Sequence, residues 1–235
     1  CITAHMSADE DAIASILAAY RLLSDKYPTK DVQVICTGEP NNRFRSFQNF
    51  EKIQFVQDLS DCLDKFDLLV LLDGGNYHRF TPKPEKIKEL RGKTICIDHH
   101  SSPVDKFDLA LIASQTPSTA EVIYLTFYKN APIDKPLAEI LLLGILGDTG
   151  NFTYLKPDQT NTFLTAKRLV EEGGIEIAAL QFRYRTLEPK TLTALGELIK
   201  NTTYHKLNNW PDFQTSSLNP ESGNKNNLPD KETRE

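Results

Sequence analysis

A chain of 235 residues, 40% hydrophobic and 25% charged, has ordinary globular composition and length for one large domain. Its net charge of −5 argues against broad adhesion to long nucleic acid, though not against a small phosphorylated ligand whose charge a cation neutralises. No run approaches the ~18 apolar residues of a membrane span and no secretory leader is evident. The four cysteines, Cys1, Cys36, Cys62 and Cys96, form no CxxC pair, so the expectation is reduced thiols in a cytoplasmic protein.

In chain order, Cys1 to Ala4 reads as a strand. Because the chain opens on Cys1 and its one methionine is Met6, it is expected to be a fragment cut inside that first strand. An amphipathic helix follows from Asp11 to Lys26, then strands over Val32 to Cys36, Leu68 to Leu72 and Thr94 to Ile97, with a weaker one over Leu109 to Ala113. Helices are predicted over Ser118 to Lys129, Pro136 to Leu146, Thr160 to Glu172, Ile175 to Tyr184 and Pro189 to Asn201. Ser118 and Glu121 have capping-box spacing, and Pro189 suits a first helical turn. Short apolar strands alternating with helices predict an α/β fold, a mainly parallel sheet with helices on both faces. The stretch from Asn208 to Glu235 is rich in Asn, Pro, Ser, Lys and Glu and has little to bury, so 1–201 reads as the domain and 202–235 as a polar, disordered tail or truncated remnant.

Four clusters of acid and histidine fall at element ends. They are His5-x3-Asp9-x-Asp11 after the first strand, Asp73 after Leu72, Asp98-His99-His100 after Ile97, and Asp148 at the end of an apolar helix. In an open parallel sheet the carboxyl ends of the strands share one edge, so these residues can converge. Carboxylates within ~4 Å of one another repel by about 4 kcal/mol per pair at an effective dielectric near 20, and must be protonated or bind cations. A mixed imidazole and carboxylate set suits manganese, cobalt or iron(II) more than magnesium alone. Two metals ~3.5–4 Å apart, sharing one carboxylate, would fit the ligand count and would activate water for attack at phosphorus. Singly, each aspartate is more often a helix cap or loop residue, and His5 more often a satisfied core histidine.

The clusters together resemble the DHH phosphoesterases, which take their name from the triplet at Asp98-His99-His100. The resemblance spans about Ile2 to Asn201 through HMSADEDAIAS, LLDGGNYHRF, the triplet itself, STAE and GILGDTGNF. It implies His5, Asp9 and Asp73 on one metal, with Asp11, Asp73, His99 and Asp148 on the other and Asp73 as the bridge. It also implies His100 facing the scissile phosphate, Asp98 orienting its histidine neighbours, and Arg79 as a phosphate contact. His78 and His205 fit no motif and are read as surface residues. The compact spacing is similar to the RecJ-like subgroup that degrades very short RNA and dephosphorylates 3′-phosphoadenosine 5′-phosphate. The resemblance thus implies a two-metal, manganese-dependent phosphoesterase acting on short RNA or small phosphorylated nucleotides, with the oligomeric state unset and a homodimer left open.

Two departures stand out. Ala8 and Glu10 replace the proline and glycine usual in the first motif, and Glu10 either adds a carboxylate beside the metals or points away into solvent. The second, glycine-rich lobe expected for substrate binding is not recognisable. The alternatives are a manganese-dependent inorganic pyrophosphatase and a non-catalytic nucleotide-binding lobe.

Overall fold

The computed structural model describes residues 1–39, 41–102, 104–185, 189–206 and 213–217. Its sheet is built from β1 (Ile2–Ala4), β2 (Val34–Thr37), β3 (Ile53–Val56), β4 (Leu68–Leu72), β5 (Lys93–Asp98) and β6 (Leu109–Ile112), all parallel, in the order β3-β2-β1-β4-β5-β6. The expected strands are all present. β3 is an addition: four residues, only Ile53 fully buried, too short and too polar around Gln54 to announce itself by pattern.

The run Leu68–Leu72 is apolar throughout because both of its faces are covered. Val70 and Leu72 pack with helices α1 (Glu10–Lys26), α3 (Thr119–Ile123), α4 (Lys135–Asp148) and α5 (Asn161–Gly173). Leu69 and Leu71 face the other way, against Leu59, Leu63, Tyr77, Phe80 and Ile87, the last on the short helix α2 (Glu85–Lys88). Period-two alternation within one strand therefore separates two cores.

The helices begin where the sequence supplies caps. Asp9 accepts from Ala12 N–H to start α1, and Asp134 accepts from Leu137 N–H to start α4, with Pro136 in the first turn. Ser118 caps α3 through Glu121 N–H, but the Glu121 carboxylate is drawn to the Thr162 hydroxyl at 2.8 Å instead of closing a reciprocal box. The predicted helix to Lys129 is α-helical only to Ile123 and continues as a π-helix over Tyr124–Tyr128. Helix α6 covers Ile177–Tyr184. Among the described residues no helix is long and apolar enough to cross a membrane.

The chain divides into two compact units, Cys1–Tyr184 and Arg185–Glu235. The second holds helix α7 (Pro189–Lys200) and an antiparallel pair, β7 (Thr203–His205) with β8 (Phe213–Thr215). There the His205 ring stacks on Phe213, 4.8 Å between centroids. The rest of the polar stretch read as a tail, 207–212 and 218–235, lies outside the described residues.

Candidate metal centre

Strand order reverses between β1 and β4, and ligands of open α/β sheets bind outside the carboxyl ends of strands at such a switch. His5 directly follows β1, Asp73 follows β4, and His99 and His100 follow β5, which ends in Asp98. Asp73 leaves its strand with φ of 59°, a left-handed conformation that aspartate tolerates better than most residues, and its N–H donates to Ile97 O of β5 at 3.0 Å.

Asp148 arrives from a helix instead. α4 can lie against α1 only because Gly144 and Gly147 lack side chains. A Cβ on Gly144 would stand 2.8 Å from Asp11 Oδ1, and one on Gly147 2.5 Å from Glu10 Cβ. That close crossing carries the last residue of α4 to the strand ends.

The geometry brings together three overlapping groups able to hold a metal ion: His5, Asp9 and Asp73; Asp11, Asp73, His99 and Asp148; and Asp73, Asp98, His99 and His100. Within each group the donor atoms lie within 4.8 Å of one another. His5 Nε2 is 3.5 Å from Asp9 and 3.3 Å from Asp73. His99 Nε2 is 2.9 Å from Asp148, 3.6 Å from Asp73 and 4.0 Å from Asp11. Asp73 belongs to every group, with its two oxygens facing different histidines.

The tautomers suit metal binding. His5 Nδ1 stands 2.8 Å from Met6 O and His99 Nδ1 3.3 Å from Thr116 O, and since a carbonyl only accepts, each Nδ1 carries the hydrogen. Nε2 of both rings is then left aimed at carboxylates, buried and without an aligned hydrogen bond. Buried polar atoms are rarely left so, and here the shortfall marks donors suited to a cation.

The electrostatics agree. Asp11 and Asp73 are at most 1% exposed. Burial, and then the charges of Asp73 and Asp148, push the Asp11 carboxyl well above its usual range. Burial opposes a charge on His5, yet the nearby carboxylates of Asp73 and Asp9 raise it to about 9. His99 is raised too, Asp148 and Asp73 outweighing its burial. The cluster gathers whatever positive charge is available, and divalent ions would supply it directly.

Some of what holds the cluster was invisible in the sequence. Asp11 accepts from the N–H groups of Thr119 and Ala120 at 2.6 and 2.8 Å, and the Thr119 hydroxyl donates to Asp73 at 3.1 Å. The Ser118-x-x-Glu121 signal marks this helix start, but nothing in it says that the start clasps Asp11.

His100 is built differently. Its Nδ1 lies 2.7 Å from Asp98 Oδ1, which also accepts from the N–H groups of His99 and His100, so Asp98 locks the turn and the ring. Burial alone would raise the Asp98 carboxyl, but the His100 contacts hold it below the usual range. His100 Nε2 accepts from Arg79 Nη1 at 3.2 Å, since arginine can only donate. Glu10 points to Arg43, 3.1 Å away, and joins none of the metal-capable groups. His78 is exposed and belongs to none of them either.

The chain matches the family model described as "DHH family, N-terminal domain" over residues 1–145. It is 28% identical over 170 residues to a Streptococcus mutans serotype c protein named "Probable bifunctional oligoribonuclease and PAP phosphatase NrnA", a match covering 71% of this chain and 50% of that one. The chain thus spans about half the length of this curated relative. Among solved structures, an exopolyphosphatase-related protein from Bacteroides fragilis superposes with a TM-score of 0.79 at 22% identity, over 99% of this chain and 69% of that one. A putative family II inorganic pyrophosphatase from Methanococcus jannaschii gives a TM-score of 0.59 at 21% identity, over 87% of this chain and 67% of that one. At such identities these two likenesses speak for the fold alone.

Proposed function

This chain belongs to the DHH family, and on that footing we propose that it is a two-metal phosphoesterase cleaving phosphate esters in short oligonucleotides or nucleotide 3′,5′-bisphosphates. The observation that carries the reading is the pair of buried imidazole nitrogens, on His5 and His99, aimed without aligned hydrogen bonds at carboxylates that share Asp73. His5, Asp9 and Asp73 would hold one divalent ion and Asp11, Asp73, His99 and Asp148 the other, and manganese suits this mixed nitrogen and oxygen set. When bound, such ions would activate a water near neutral pH and supply charge to stabilise the leaving oxygen.

The protein's own groups do the rest. Asp98 fixes the His100 ring by accepting from Nδ1, which turns Nε2 toward the space where a phosphoryl oxygen would sit. There Nε2 holds or transfers the proton at the scissile phosphate, while Arg79, now resting against that nitrogen, turns its guanidinium to the phosphate. A reducing cytoplasm suits the free thiols Cys1, Cys36, Cys62 and Cys96.

The test is a hydrolysis panel with manganese: a dinucleotide, a nucleotide 3′,5′-bisphosphate, inorganic pyrophosphate and single-stranded DNA. The first two should be cleaved fastest. Pyrophosphate turning over fastest would sink this reading in favour of the pyrophosphatase alternative.

A further inference from the structure

The segment directly after Asp148 carries an aromatic ring, on Tyr154, that packing does not account for. Three consecutive residues, Gly150, Asn151 and Phe152, have positive φ of 53°, 55° and 70°. For a bulky residue such as Phe152 this conformation is costly, and it persists only where surrounding bonds enforce it. The bonds are present. Thr149, 1% exposed, takes Phe152 N–H on its hydroxyl at 3.0 Å and Tyr154 N–H on its carbonyl at 3.0 Å, and Asn151 N–H reaches back to Leu146 O at 2.8 Å. Gln181 adds a hydrogen bond to the Asn151 side chain at 2.6 Å.

This frame packs Phe152 partly against the core but leaves Tyr154 outside it. The Tyr154 ring lies so close over Gly150 that any Cβ there would collide with it, yet the residue is 73% exposed. Phe163, 50% exposed, meets Phe152 with ring centroids 5.2 Å apart. The loop seats Phe152 partly against the core, but burial gives no reason for holding the tyrosine ring in water.

From these rings we infer that Tyr154, with Phe152 and Phe163 beside it, is a stacking platform for a nucleobase of the substrate. The inference rests on the nucleotide reading of the metal centre and extends it to recognition. Gly150, under the ring, is two residues from Asp148, so their Cα atoms are no more than about 7 Å apart. A phosphate held at the cluster thus has its own sugar and base within reach of the rings. Stacking suits a site that must accept different bases, because every base presents a π-face. An occupant continuous with the metal cluster fits this position better than a separate protein surface, because the platform grows from the loop that follows Asp148.

The experiment compares adenosine 5′-monophosphate with ribose 5-phosphate, titrated calorimetrically into the whole chain with manganese. The two ligands share a phosphate and a sugar, so their affinity ratio isolates the base. Wild type should prefer the adenine ligand on the order of 10-fold or more, and Tyr154→Ala should erase most of that preference. Tyr154→Phe should keep it, because the face is retained. In NMR, with diamagnetic magnesium replacing paramagnetic manganese, the adenine H2 and H8 resonances should move upfield with wild type and Tyr154→Phe but not with Tyr154→Ala, a ring-current signature that a purely structural role would not produce. No preference in wild type, or a preference untouched in Tyr154→Ala, overturns the platform even if dinucleotides are hydrolysed. Base preference with the upfield shift, but no hydrolysis of either nucleotide class, leaves the platform standing and overturns the catalytic reading instead.

Discussion

Asp58 and Asp73 are both buried aspartates near the ends of parallel strands, 8% and 1% exposed, and they have been treated in opposite ways. Asp58 is fully provided for by protein. It accepts from Ser60 N–H at 3.0 Å and the Thr81 hydroxyl at 2.6 Å, and pairs with Lys83 at 3.1 Å. Burial alone would raise its carboxyl, but these partners hold it down to about 2. Asp73 receives one hydroxyl, from Thr119, and otherwise faces His5, His99 and His100 among further carboxylates. A buried charge complete within the protein is structural; one whose neighbours are themselves short of partners is one that a cation could complete.

The contrast can be broken most sharply at Asp73. Elemental analysis should find close to two manganese ions per wild-type chain, and Asp73→Asn should lose most of both along with turnover. One tightly held zinc, or no metal at all, in wild type would remove the two-metal reading.

Next in size is the pair of adjacent histidines. His99→Ala should lower metal occupancy. His100→Ala should keep the ions and lose about 10²–10⁴-fold in kcat, the usual worth of a positioned proton donor or acceptor. Full activity in a metal-loaded His100→Ala would reverse the assignment.

On the structural side, Asp58→Asn should leave metal content alone and cost about 1–3 kcal/mol, measured as a lower urea midpoint at pH 7. The sign with pH comes from the folded value lying below that of an unfolded aspartate, near 3.9. Its contribution is present above about pH 4 and disappears as pH falls through about 2. The wild-type and Asp58→Asn midpoints should therefore converge in acid. A constant gap would show that the carboxylate's charge was not what mattered.

The smallest effect is expected at Glu10, whose partly exposed pair with Arg43 is worth no more than about 1 kcal/mol. Glu10→Gly should shift thermal stability only slightly and leave manganese stoichiometry unchanged. A change in stoichiometry would make Glu10 part of the centre.

Much of this was legible in the sequence, for a local reason. A strand's period, a cap residue or an acid placed just after an apolar run is written in adjacent letters, so β1, β4 and β5, the start of α1 and the clusters at His5 to Asp11, Asp73, Asp98 to His100 and Asp148 could all be named in advance. β3 escaped because four half-covered residues carry too little pattern.

What only the tertiary structure decided was adjacency. The strand order set β1 beside β4, which brought His5 to Asp73 across nearly 70 positions of chain. The glycines of α4 set its distance from α1 and so delivered Asp148. Whether Glu10 crowded the cluster or left it turned on Arg43, in a loop that no spacing rule connects to it. Exposure of the Tyr154 ring over Gly150 likewise depends on which surfaces pack over that loop. Hydrogen-bond partners and repulsive neighbours act over a few ångströms of space, and sequence separation does not measure that distance.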